Sequence, residues 1–154
     1  AWKNNHWKTI KTNYCKAPFF KIFAEQIENI YCFEEFTHLS KLNRRLINEI
    51  CSFLKIKTKI RDSFEFELAE DRNDRLVGIC KQTNATEYIS GPSAKNYLDE
   101  KLFKNNNIIV SFADYSNYCE YRQLWGGFEN NLSVMDLIFN YGEDSYKHMK
   151  YLQN

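Results

Sequence analysis

The sequence predicts an α/β fold, and three observations carry that prediction. Between about residues 64 and 112, short β-prone runs (Phe64, Phe66 and Leu68; Thr86 to Ile89; Ile108 to Phe112) alternate with helical stretches, in the order strand, helix, strand, helix, strand. Connections of that length suit parallel neighbours, so the expected sheet is a small parallel βαβαβ unit. Amphipathic stripes before residue 55 and after residue 132 then place an N-terminal helix pair and a C-terminal helix around it. A chain of 154 residues, 44% hydrophobic and 27% charged, is sized for one core, and 1–154 is read as a single domain.

The elements follow in order. The first dozen residues, with Trp2, Trp7 and Ile10, read like the middle of a domain whose earlier part is absent. A helix begins around Ala17-Pro18, with proline at its first position, and Phe19, Phe23, Ile27 and Ile30 recur at helical spacing up to about Tyr31. The clearest helix has Thr37 as its expected N-cap and buries Leu39, Leu42, Leu46, Ile47, Ile50, Phe53 and Leu54. Its Arg44-Arg45 pair is a solvated face or a substrate contact. From Lys55 the pattern alternates through Ile56, Thr58, Ile60, Phe64, Phe66 and Leu68, as one extended strand or two short ones do. Leu76, Val77, Ile79 and Cys80 mark a short helix started by Asp71 or Asn73 and stopped near Asn84. Arg72 and Arg75 sit at its N-terminal end, where the helix dipole disfavours cations, so they either face solvent or answer a nearby anion or carboxylate.

The next stretch is the most informative. Thr86 to Ile89 is a strand, Gly91 a turn and Pro92 the first residue of a helix that runs through Tyr97 and Leu98 to about Phe103. Such a turn leaves the amides of Ser93, Ala94 and Lys95 without helical partners, and Lys95 adds a full charge. Two readings stand: Gly91, Pro92 and Ser93 cap a helix, or they and Lys95 hold an anion. In parallel sheets ligands collect beyond the carboxyl ends of strands, where Ser90 and Gly91 would lie. After the turn Asn105 to Asn107 and the buried strand Ile108 to Phe112 comes an irregular aromatic stretch with Tyr115, Tyr118, Tyr121, Trp125 and Phe128. It contributes a ligand-facing surface or covers the sheet edge. Ser133 caps a last helix through Phe139 that ends at Asn140-Tyr141-Gly142, and the tail from Glu143 reads as a short surface helix.

Composition excludes some functions. The net charge is +1, from 21 basic and 20 acidic residues mixed along the chain, so no field argues for nucleic acid. No apolar run reaches bilayer length and Ala1 to Trp7 lacks the apolar core of a signal peptide, so the expectation is a cytoplasmic protein without membrane insertion. Five scattered cysteines form no Cys-x-x-Cys pair, which argues against a disulfide framework and a zinc site; neither metal nor cofactor is expected.

Arg75-Leu76, Ile79-Cys80-Lys81, Tyr88-Ile89-Ser90-Gly91-Pro92-Ser93-Ala94-Lys95, Tyr97-Leu98-Asp99, and Leu132-Ser133-Val134-Met135-Asp136-Leu137 resemble the bacterial WbqC-like protein family. Upstream, Lys16 to Phe20 and Leu42-Asn43 with Leu46-Ile47 match the same pattern, so the resemblance covers nearly the whole chain. It implies a place in O-antigen or related surface-polysaccharide biosynthesis and an aminoacyl (glycine) or acyl transferase role. It also implies that the family's N-terminal part is not in this sequence.

A transferase acting on a nucleotide-activated amino sugar needs a phosphate cradle, contacts to sugar hydroxyls and a base for the accepting amine. Under the resemblance, Ser93, Lys95 and Arg75, with Ser90 and Gly91, would supply the first. Tyr88, Tyr97 or Gln123 would supply the second, and Asp99 and Asp136 are the carboxylates to test for catalysis. His6, His38 and His148 stand isolated, outside any Ser/His/Asp or Cys/His arrangement. The expected partner is a nucleotide-activated sugar or another anionic small molecule. The rival reading is a non-catalytic accessory protein that binds a sugar nucleotide or a partner enzyme of the same pathway.

Overall fold

The computed structural model describes residues 2–150. In chain order the helices and strands are α1 (Trp2–Tyr14), α2 (Phe20–Glu28), α3 (Leu39–Phe53), α4 (Arg72–Gln82), β1 (Glu87–Ser90), α5 (Glu100–Asn105), β2 (Ile109–Phe112) and α6 (Val134–Tyr141). Tighter or wider single turns fill in at Asn29–Phe33, Ser63–Glu65, Pro92–Asn96 and Gly142–His148. The chain packs as two compact units, residues 1–58 with 117–154 and residues 59–116. None of the described helices is long and apolar enough to cross a membrane.

The first unit is helical. Its core is Trp7, Ala17, Phe20, Phe23, Ala24, Ile27, Leu54, Ile138 and Phe139. The opening residues, to which sequence reading assigned no element, form α1: Trp7 is buried on its inner side and its indole N–H donates to Glu28 Oε1 at 2.7 Å. Helix α2 opens at Phe20, two residues later than the proline signal suggested, and buries Phe20, Phe23, Ala24 and Ile27. Thr37 is not the cap of α3. That position falls to His38, which makes no side-chain cap bond, and the Thr37 hydroxyl pairs with His38 Nδ1 at 2.9 Å instead. Helix α6 is capped by Ser133, as expected, and ends at Gly142, whose φ of +57° lies in the left-handed region that glycine tolerates. A Cβ there would stand 2.7 Å from Phe19 Cδ1.

The second unit holds the sheet. Strands β1 and β2 pair in parallel, with Glu87 opposite Ile109 and Ser90 opposite Phe112. One face, through Tyr88 and Val110, packs on the core of Val77, Cys80, Phe103 and Ile108. The other carries Ile89 and Ile109, each 66% exposed. The α/β class is therefore right, but the sheet among the described residues has two strands and the βαβαβ arrangement is not formed. The missing strand is the 64–68 run. Asp62 and Glu65 make a reciprocal capping box around the Ser63–Glu65 turn, Phe64 is 92% exposed, and the Glu67 amide donates to Gln82 Oε1, so these donors are satisfied off the ladder.

The central stretch also differs from expectation. Pro92–Asn96 is a single tight turn, and the α-helix starts only at Glu100, after Asp99. Gly91 has φ −71° and ψ 159°, an extended backbone open to any residue, so no left-handed angle selects glycine there. The described part of the tail, Gly142–His148, is a tight helical stretch, and residues 151–154 lie outside the described residues.

Candidate functional site

The structure divides the sequence-nominated residues between the two units. Arg75, Tyr88, Ser90, Gly91, Ser93, Lys95, Tyr97 and Asp99 belong to the second, Gln123 and Asp136 to the first.

In the second unit most of the nominated side chains are occupied by the fold. Arg75 donates from Nε to Ala69 O and from Nη2 to Glu70 O, both at 2.8 Å, and so staples the loop before α4. Asp99 is the N-cap of α5: its Oδ1 accepts from the amides of Lys101 at 3.0 Å and Leu102 at 3.2 Å. Asn73 carries the neighbouring joint, accepting from the Asp99 amide at 3.0 Å. Tyr97 lies under the Arg72 guanidinium at 4.6 Å, and Tyr88 packs on Phe103 at 5.2 Å between ring centres. Ser90, Gly91, Ser93 and Lys95 do gather at the carboxyl end of β1, as a strand-end site requires. There, however, the Ala94 amide bonds Gly91 O at 3.0 Å, and Lys95 Nζ sits 5.1 Å from the centre of the Phe112 ring. A five-residue turn with proline first has few outward amides left, so it is a weaker anion cradle than a full helix start.

The first unit holds a denser constellation. Asp136, in the first turn of α6, is only 3% exposed. Burying a carboxylate is costly unless it is hydrogen-bonded, and this one has two tyrosine partners. Tyr121 donates to its Oδ2 at 2.7 Å, and the hydroxyl of Tyr14, the last residue of α1, bonds it as well. The Tyr14 phenol is pushed up to about 12, by burial first and then by the charge and hydrogen bond of Asp136. Tyr121 is raised further; burial is the largest cause, a hydrogen bond from Gln123 opposes it, and the bond to Asp136 and its charge add to it. Both phenols thus remain donors at neutral pH.

Gln123 does more than touch Tyr121. Its Nε2 donates to Glu129 O and its Oε1 accepts from the Glu129 amide, each at 2.8 Å, which closes the loop carrying Gly126 and Gly127. Around Tyr121 the rings of Phe128, Tyr141 and His148 stand at 5.3, 5.7 and 5.7 Å between centres, and His148 lies 4.3 Å from Tyr141. Tyr121, Phe128 and Tyr141, with Glu120, Arg122 and Gln123, line an open depression of about 630 Å³. That volume falls within the range of small-molecule sites. Asp136 stands behind Tyr121, so its influence enters the depression through that hydroxyl.

Sequence reasoning nominated Asp136 and Gln123 but missed Tyr14, Tyr141 and His148. Asp136 had a sufficient local explanation in the dipole of its own helix, and nothing in the spacing joins it to a tyrosine at the end of α1. His148 read as isolated, whereas its ring packs against Tyr121 and Tyr141.

Comparison with known proteins bears on the whole chain. The Uncharacterized protein Rv1507c of Mycobacterium tuberculosis (strain ATCC 25618 / H37Rv) is 45% identical over 150 residues, 97% of this chain. The chain spans about 65% of the length of that curated relative. No solved structure matches it. The WbqC-like protein family model matches residues 1–148, and the chain belongs to the WbqC-like protein family.

Proposed function

We propose that the protein is an enzyme of surface-polysaccharide (O-antigen) biosynthesis that transfers an aminoacyl or acyl group to a nucleotide-activated amino sugar. The sugar would sit in the depression over Tyr121, Phe128 and Tyr141. The observation that carries this reading is the buried Asp136 carboxylate, held by two tyrosine hydroxyls directly behind a depression whose lining mixes aromatic and polar groups. Aromatic rings offer area to the apolar face of a sugar, and Glu120 and Arg122 offer partners for its polar edges.

The chemistry places a definite demand on the site. The amine nitrogen attacks the carbonyl carbon of an activated ester or thioester donor and a C–N bond forms. The bond to the leaving oxygen or sulfur breaks with its electron pair, and the proton lost by the amine passes to that leaving oxygen or sulfur. A carboxylate fixed behind the reacting amine stabilises the positive charge that nitrogen carries before the proton departs. In this role Tyr121 positions Asp136, and Tyr14 holds the carboxylate from its other side. The strand-end group Ser90, Gly91, Ser93 and Lys95, in the second unit, stands as our separate, alternative proposal for an anion contact, resting on Lys95 rather than on helix amides. Arg75 and Asp99, already engaged by backbone, support the fold around it.

Thermal stabilisation against a panel of nucleotide sugars, nucleotides and amino acids tests the reading. A ligand at a hundred times its Kd stabilises by about 2.7 kcal/mol. The expected outcome is a shift with a nucleotide amino sugar that Asp136→Asn diminishes; a panel without any binder would favour the accessory, partner-binding alternative.

A further inference from the structure

His148 is a half-buried residue whose Nδ1 is fully buried and has no hydrogen-bond partner among the described residues. An orphaned buried nitrogen costs stability, and native structures keep such atoms where something else is to bond them. The His148 ring does not line the depression but packs on two rings that do. The imidazole packs at 4.3 Å from Tyr141 and 5.7 Å from Tyr121, both of which line that space. The polar side chains grouped around Asp136 are engaged. Tyr14 and Tyr121 donate to Asp136, Gln123 bonds Tyr121 and both backbone groups of Glu129. The Tyr141 ring packs on His148, and its hydroxyl accepts a long hydrogen bond, 3.4 Å, from the Arg122 amide.

We propose that His148 is a specificity-determining residue of this site, whose Nδ1 accepts a hydrogen bond from an amine or hydroxyl of the bound sugar once the Tyr141 ring turns aside. This rests on the sugar-binding reading of the depression and adds to it the atom that reads one polar position of the ligand. A site that holds a buried acceptor for a ligand donor rejects the analogue lacking it, because the acceptor is then left unpaired.

The test uses the full chain labelled with nitrogen-15 and three probes: UDP-glucosamine, UDP-glucose and UDP-2-deoxyglucose, which carry an amine, a hydroxyl and hydrogen at one ring position. The expected results are an Nδ1 resonance of His148 typical of an unbonded acceptor in the free protein, and its displacement by UDP-glucosamine or UDP-glucose, whichever supplies the donor. The deoxy probe should leave it unmoved and bind about tenfold more weakly, a difference of about 1.4 kcal/mol. In His148→Phe, which keeps an aromatic ring and removes the nitrogen, that discrimination should vanish while the unliganded melting temperature holds or rises. Binding of the amino or hydroxy probe with the Nδ1 resonance unmoved overturns the inference and leaves the sugar-binding reading standing, and this wild-type measurement decides even if the variant fails to fold. Failure of all three probes to bind the wild type overturns both.

Discussion

Asp136 shows how a residue with an adequate local explanation can carry a second role. At the third position of α6 a carboxylate is favoured by the helix dipole, and the resemblance adds its nomination for catalysis without naming a partner for it. The fold then buries it and brings two phenols from distant parts of the chain, Tyr14 and Tyr121, onto its oxygens. That network was illegible because it depends on which helices pack together, not on spacing within one. The raised phenol has a pH consequence whose sign follows directly. Tyr14 moves from an ordinary 10.0 to about 12 on folding, so the folded state binds its proton more tightly than the unfolded state does. Its contribution to stability is fully present below pH 10 and is lost as the pH rises toward 12. Denaturation followed between pH 9 and 12 should show stability falling with a slope that Tyr14→Phe reduces; an unchanged slope would place the Tyr14 hydroxyl away from Asp136. At neutral pH, Tyr121→Phe should cost roughly 1–3 kcal/mol, since it takes one donor from a buried carboxylate.

At the scale of elements the sequence was most legible where local chemistry decides. Asp71 starts α4 and accepts from the amides of Asn73 and Asp74, at 2.7 and 3.1 Å, and Ser133 caps α6. Gly142 stops that helix with a positive φ and also leaves room for Phe19. Gly142→Ala should therefore destabilise the protein by roughly 1–3 kcal/mol, through a crowded Cβ against Phe19 and a strained backbone; a variant that melts at the parent temperature would show that the turn relaxes. At this scale the Asp99 carboxylate is the N-cap that begins α5. Asp99→Ala should cost about 1 kcal/mol, measured by denaturant unfolding, with ligand binding unaffected. The alternating run Phe64, Phe66, Leu68 misled for the same kind of reason. Alternation gives a strand only where a ladder is at hand, and here a capping box and a glutamine side chain reach the backbone first. The parallel pair β1 and β2 was legible from two β-prone runs joined by a helical crossover too long for a hairpin.

For the whole molecule, the resemblance carried by Tyr88 to Lys95 and Leu132 to Leu137 led to the right family, over nearly the full chain. The residues it nominated divide between two compact units, and in residues 59–116 Arg75 is committed to a loop and Asp99 to a helix cap. In the unit built from residues 1–58 and 117–154 the nominated Asp136 is buried and connected by Tyr121 to an open depression. The aromatic stretch after residue 113 had two open readings from sequence; Tyr121 and Phe128 now line that depression, which favours the ligand-facing one.

Calorimetric titration of UDP-glucosamine into the wild-type chain, Asp136→Asn and Lys95→Ala, with the folded state of each verified by its melting transition, separates the depression from the strand end as the binding site. The wild type should bind, Asp136→Asn should weaken binding by about tenfold or more, equivalent to at least about 1.4 kcal/mol, and Lys95→Ala should have the smaller effect. Binding that survives Asp136→Asn unchanged and disappears with Lys95→Ala would contradict this expectation and return the site to the carboxyl end of β1.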